Sequence, residues 1–219
     1  MKLSHRIFNA KTLSRKDTKV SFGINDEGDA IVFGMSKKLI LAAALVLLIC
    51  GSVFAQQRAK TDVLKVGEAG PDFSLVDDVG KTVTLSSING PVVLVFYRAY
   101  WCPFCVRQLA ELRSLKRDGF TIVAISPDPI NRLKETKSKV AKDGKGEIPF
   151  ALLSDPGSKT VNAYGVYDPT YAGQDVDGIP HPSIFILDKD RKVVWVSVSM
   201  DYKKRPTVDE IRAEIAKLK

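Results

Sequence analysis

The sequence predicts an α/β domain: a central mixed β-sheet flanked by helices, with a β-hairpin at its amino end. Three observations predict it. Residues 92–97 (VVLVFY) and 120–125 (FTIVAI) are apolar runs rich in β-branched residues, the character of central strands covered on both faces. Charged stretches with apolar residues at helical spacing lie between and after them, and strands alternating with helices make α/β layers. The chain then closes with two more apolar segments around a charged turn and a final capped helix.

The elements follow in order. Residues 72–75 and 82–85 alternate apolar and polar positions around Asp77-Asp78-Val79-Gly80, which predicts the hairpin. Asn89-Gly90-Pro91 breaks the chain before the first central strand. After it, Leu109, Leu112 and Leu115 recur every third residue, a helix that Gly119 is placed to end. The second central strand precedes a charged helix over 130–142, stopped by Asp143-Gly144. Residues 150–153 form a short strand or extended segment, 158–164 a short helix, and 165–181 a long Gly/Pro/Asp loop. Residues 183–187 and 192–198 make a second hairpin around 188–191. Thr207 with Glu210 three later is a capping box, followed by Val208, Ile211, Ile215 and Leu218 at spacings of 3, 4 and 3.

Composition excludes several classes. With 45% hydrophobic and 26% charged residues in 219, the chain is globular rather than fibrous or mostly disordered. The formal charge of +8 is spread without a clustered basic face, so no nucleic-acid partner is expected. The three cysteines, Cys50, Cys102 and Cys105, are too few for a disulfide scaffold. They allow one CxxC pair, whereas a zinc ribbon needs two and the only histidines are His5 and His181. Val106 after Cys105 rules out the CxxCH haem attachment. No metal and no cofactor are expected.

The amino end is read as four parts. Residues 39–54 (LILAAALVLLICGSVF) carry no charge, follow Ser36-Lys37-Lys38 and end at Val53-Phe54-Ala55, the pattern of a secretory signal over 35–55 cleaved before Gln56. The alternative is a retained membrane tether through 39–54, although the run is short of the ~20 residues of a span. Residues 1–34 are a disordered or untranslated extension, and 56–65 a polar linker. An exported, periplasmic or otherwise extracytoplasmic location is expected, with membrane anchoring as the alternative.

The chemistry is expected at Trp101-Cys102-Pro103-Phe104-Cys105. If a helix begins near Pro103, Cys102 lies at its amino end and Cys105 one turn inside. Residues three apart share a helix face, so the two sulfurs can meet. Pro103 suits the first helical position, where its missing N–H would be unpaired anyway. The partial positive charge there lowers a thiol's pKa. Cys102 is thus the expected nucleophile and Cys105 the resolving thiol, together a redox-active disulfide. A static disulfide closing so short a loop would constrain the unfolded chain little.

With these residues in view, the sequence resembles the AhpC/TSA redoxin family of the thioredoxin superfamily. The resemblance rests on Asp72-Phe73-Ser74-Leu75, Gly80-Lys81, Leu85-Ser86, residues 92–105, Leu153-Ser154-Asp155-Pro156, Ala163-Tyr164-Gly165-Val166 and residues 180–188. It covers about 66–200 and makes 66–219 a thioredoxin-like redoxin domain. It implies a thioredoxin fold and thiol-based redox activity, with protein dithiols or disulfides, or a peroxide, as partners. Thioredoxin-like members face their CxxC with a cis-proline, for which Pro182 is the candidate and Pro180 the second. Peroxiredoxin members carry a Thr three residues before the cysteine, a Pro seven before it and a distant Arg. Here Ala99, Val95 and Pro182 stand in those places, with Arg98 or Arg107 as other sources of charge. The sequence therefore ranks thiol–disulfide exchange first, peroxidase chemistry through a Cys102 sulfenic acid second, and a copper-binding or interaction module third. Trp101, Pro103 and Pro182 are expected to support the pair; His181 is read as a loop residue.

Overall fold

The computed structural model describes residues 62–115 and 119–218. Seven strands form one mixed sheet in the order β2-β1-β5-β4-β3-β6-β7: β1 (Ser74–Asp77), β2 (Thr82–Thr84), β3 (Val92–Phe96), β4 (Thr121–Ser126), β5 (Ala151–Ser154), β6 (Ser183–Leu187) and β7 (Val193–Val198). The helices are α1 (Pro103–Leu112), α2 (Ile130–Ala141), α3 (Lys159–Ala163) and α4 (Val208–Ala216). Strands β3, β4 and β5 run parallel; the amino-terminal hairpin joins antiparallel through β1 on β5, and the β6–β7 hairpin through β6 on β3. The expectations for residues 1–34 and 35–55, and the linker up to residue 61, lie outside the described residues.

The central strand shows why the runs read as covered on both faces. Every residue of β3 is fully buried, and successive side chains alternate between two cores. Val93, Val95 and Tyr97 pack with Leu109 and Leu112 of α1, Leu133 and Val140 of α2, and Ile211 and Ile215 of α4. Val92, Leu94 and Phe96 pack on the other side with Val161, Tyr164, Phe73 and Leu85. There Phe96, Tyr164 and Phe185 form a ring cluster with centroids 5.1 to 5.8 Å apart. Such fully buried side chains each contribute about 1.5–3 kcal/mol, enough to fix which faces α1 and α4 cover.

Most boundaries differ from the sequence expectation by a residue, and those of α1 and β1 by more. Helix α1 ends at Leu112, before Gly119, because its last turn tightens: Arg113, Ser114 and Leu115 donate to carbonyls three residues back. The Ser114 hydroxyl also donates to the Glu111 carbonyl at 2.8 Å. Strand β1 starts two residues late, since the Asp72 carboxylate accepts from the Phe73 and Ser86 N–H groups and holds that stretch as a corner. It then runs on to Asp77, whose carboxylate closes the turn through the N–H groups of Val79 and Lys81. The long loop after α3 includes a 3-10 turn, Pro169–Tyr171, capped by the Asp168 side chain.

The cis-proline expectation is corrected: among the described residues every peptide bond is trans, at Pro182 and Pro180 included. Trans is the ordinary geometry of an X–Pro bond. His181 donates to the Val166 carbonyl at 2.8 Å and Ser199 to the Pro182 carbonyl at 2.9 Å, so the chain feeds β6 fully extended. Pro182 still lies at the relevant sheet end, because Ser183 pairs with Phe96.

Candidate active site

The site forms where β3 leaves the sheet. Tyr97 extends the pairing through a 3.0 Å bond to the Ile125 carbonyl, and six residues later α1 begins with Pro103 in its first turn. Cys102 is the N-cap, with extended backbone (φ −81°, ψ 109°); its carbonyl accepts from Cys105 and Val106, both at 3.1 Å. The connecting loop is tied from the loop after β4 by a 2.7 Å bond from the Tyr100 N–H to the Asp128 carboxylate. Burial raises that carboxyl to about 6, against the Tyr100 and Ser126 bonds that favour its ionised form. Lys139 of α2 donates to the Tyr100 carbonyl at 3.0 Å.

The two sulfurs meet as the spacing predicts. Both cysteines are free thiols, and Cys105 donates to Cys102 over a sulfur–sulfur distance of 2.8 Å. That bond is the largest influence on Cys102, bringing its thiol down to about 6 from an ordinary 9.0 against the opposing effect of burial. A bond from the Cys105 backbone and the charges of Arg98 and Arg205 add to it. The same bond, with burial and the neighbouring thiolate charge, pushes Cys105 far up. The pair therefore carries one negative charge at neutral pH, on the sulfur at the helix mouth. Both sulfurs are covered: Cys102 is 1% exposed and Cys105 0%. The reactivity of Cys102 therefore comes from its neighbours rather than from exposure.

Those neighbours are two arginines and a set of rings. Arg98 is buried, with its guanidinium 5.2 Å from the Trp101 ring, 4.9 Å from Tyr171 and 4.6 Å from Tyr202. Arg205, in the segment between β7 and α4, approaches Cys105 Sγ at 3.6 Å and is oriented by Gln108 Oε1 at 2.9 Å. Tyr202 of the same segment stacks edge-on against Phe104, 5.7 Å between centroids. Trp101 is 40% exposed and borders a groove of about 520 Å³ that also includes Pro103, Val106 and Val140.

The structure places the predicted Cys102, Cys105, Trp101 and Pro103 together at the mouth of α1. The sequence named Arg98 only as a source of charge, and Arg107, named with it, faces outward: it stacks on Phe104 at 5.3 Å and pairs loosely with Glu111. Gln108 had a signal, a polar residue on the apolar face of α1. Arg205, Tyr171 and Tyr202 had none, since only the fold brings them in. His181 pairs with Asp168 at 3.5 Å, and among the described residues no cluster of three His, Cys, Asp or Glu side chains could hold a metal ion.

Comparison with known proteins finds similar chains among those named as peroxiredoxins. Peroxiredoxin Bcp of Escherichia coli is 34% identical over 139 residues, spanning 61% of this chain and 85% of its own. A Mycobacterium tuberculosis protein that carries a peroxiredoxin name is 36% identical over 141 residues, 62% of this chain and 85% of its own. The crystal structure of peroxidoxin BcpB from Mycobacterium tuberculosis superposes with a TM-score of 0.57 at 29% identity, covering 71% of this chain and 99% of that one. The architecture is thioredoxin-like, as expected from the resemblance. The AhpC/TSA family model matches residues 66–196, from the segment before the first hairpin into β7 and across the whole Cys102–Cys105 loop, and the chain belongs to that family.

Proposed function

We propose that the chain is a thiol-dependent peroxidase whose Cys102–Cys105 pair closes after each turnover and is reopened by thiol–disulfide exchange. The observation that carries this reading is the sulfur pair itself: 2.8 Å apart, buried, with the S–H on Cys105 and the negative charge on Cys102. In the proposed cycle the Cys102 thiolate attacks the near oxygen of a hydroperoxide and the O–O bond breaks. The alkoxide or hydroxide leaves with a proton, and Cys102 becomes a sulfenic acid. Cys105 then condenses with it, expelling water and forming the disulfide without movement of α1. A hydroperoxide is small enough for sulfurs 1% and 0% exposed, and the relatives named as peroxiredoxins support the same chemistry. This reverses the order set by Ala99 and Pro182, because Arg98 and Arg205 supply positive charge that neither of those positions supplies.

A second reading makes exchange the principal reaction, with protein disulfides as substrates. It is favoured by the CxxC at a helix mouth and by a 26% identical relative, thiol-disulfide oxidoreductase ResA of Bacillus thuringiensis, matched over 72% of this chain and 86% of its own. Rates with hydrogen peroxide and with a protein disulfide, measured on one sample, separate the two. Faster oxidation by micromolar peroxide supports the peroxidase; turnover of the disulfide alone replaces it with the second reading. The uncharged run 39–54 supports work outside the cytoplasm. Intact mass of the native protein should then match 56–219, and a membrane-bound chain retaining 39–55 would favour the tether.

A further inference from the structure

Two guanidinium groups converge on the dithiol, and among the described residues neither has a carboxylate within ion-pair distance. Arg98 is only 5% exposed, and its buried Nε has no hydrogen-bond partner. The rings of Trp101, Tyr171 and Tyr202 surround this group without offering it an anion. Arg205 is held by the neutral amide of Gln108 and points at Cys105 Sγ. A buried guanidinium without a counter-charge is costly. In the reduced protein the counter-charge is the Cys102 thiolate. Once the pair closes to a disulfide, that charge is gone while both arginines remain.

We propose that Arg98 and Arg205 then form a binding subsite for an anionic small thiol, one that bears a carboxylate, and that this thiol reopens the Cys102–Cys105 disulfide. The ligand is small because both sulfurs are buried, and anionic because the subsite offers two positive charges and no negative one. The inference rests on the dithiol cycle proposed above. In the step itself the thiolate of the small thiol attacks Cys102 Sγ and the Cys102–Cys105 bond breaks. Its electron pair leaves on Cys105 Sγ, beside Arg205, and is protonated there. A second thiolate attacks the small-thiol sulfur of the mixed disulfide, releasing the small disulfide and returning Cys102 as thiolate. Two thiols are oxidised and one protein disulfide is reduced.

The test uses the full protein, oxidised with one equivalent of peroxide and freed of excess. Its reduction is followed with 3-mercaptopropionate (anionic), 2-mercaptoethanol (neutral) and cysteamine (cationic), each rate divided by the thiolate concentration. The anionic thiol should exceed the neutral one by about tenfold, with the cationic one slowest. The ratio should fall towards one in 1 M salt, where the screening length is about 3 Å. Arg205→Gln should reduce the ratio at least threefold, whereas Arg205→Lys, which keeps the charge, should largely retain it. Equal rates for the three thiols in the wild type, or a preference that survives both salt and Arg205→Gln, would overturn the subsite. Failure of the underlying dithiol cycle shows up earlier and separately: peroxide would then not produce the loss of two hydrogens that marks a Cys102–Cys105 disulfide.

Discussion

Cys102 combines near-complete burial with an acidic thiol, and at the residue scale the S–H of Cys105 reconciles the two. Burial alone would raise a thiol's pKa; a hydrogen bond donated to the thiolate form, with two arginines nearby, reverses the sign. Alkylation of the reduced protein by iodoacetamide should therefore rise through pH 6 and level off above it. Cys105→Ala removes the donor and should move that midpoint up by about one unit or more; an unchanged midpoint would show that Arg98 and Arg205 suffice. The same shift bears on stability. Cys102 ionises near 6 in the native protein but near 9.0 in the unfolded chain, so its contribution grows from pH 6 to 9 and is lost as pH falls through 6. Cys105, pushed up, has the opposite sign above 9, where the unfolded chain releases a second proton that the native pair retains. At this scale the cysteines were legible because their pattern is local. Arg205 was not, because nothing near it in sequence distinguishes an arginine that faces a sulfur 100 residues away from one that faces water.

At the scale of elements, α1 delivers the cysteines and α4 delivers the segment that covers them. Helix α4 was legible to its first residue: Thr207 accepts from the Glu210 N–H at 3.2 Å, and Glu210 returns a 2.6 Å bond to the Thr207 N–H. Its Ile211 and Ile215 lie in the same core as Cys105, and Arg205 precedes the cap by two residues. Thr207→Ala should thus cost about 1 kcal/mol in urea unfolding. It should also slow re-reduction of the disulfide more than oxidation by peroxide, because the loosened segment carries Arg205. A stability loss with no difference between the two half-reactions would detach α4 from the site. The end of α1 and the start of β1 were less legible, since Ser114 and Asp72 stop those elements through side-chain bonds to backbone that leave the hydrophobic pattern intact. The trans bond at Pro182 is the ordinary geometry of an X–Pro bond; the cis expectation came from the family resemblance, not from any local residue pattern.

For the whole molecule, the strand runs and helix periods were enough to predict a mixed sheet between helices, but not its order. Parallel pairing of β3, β4 and β5 and the placement of both hairpins at the flanks depend on contacts between residues far apart in sequence. That order brings the end of β3, the mouth of α1, the turn after α3 and the segment before α4 together, and so makes two cysteines, two arginines and three aromatic rings one site. The central claim is that this site works as a dithiol with Cys102 attacking and Cys105 resolving. The most direct test is trapping: Cys102→Ser and Cys105→Ser variants of the full protein, each treated with a dye-labelled disulfide, run on non-reducing electrophoresis and mapped by peptide mass. The account predicts that Cys105→Ser accumulates a mixed disulfide at Cys102 and that Cys102→Ser accumulates none. An adduct at Cys105 in the Cys102→Ser protein, with none in Cys105→Ser, would contradict it.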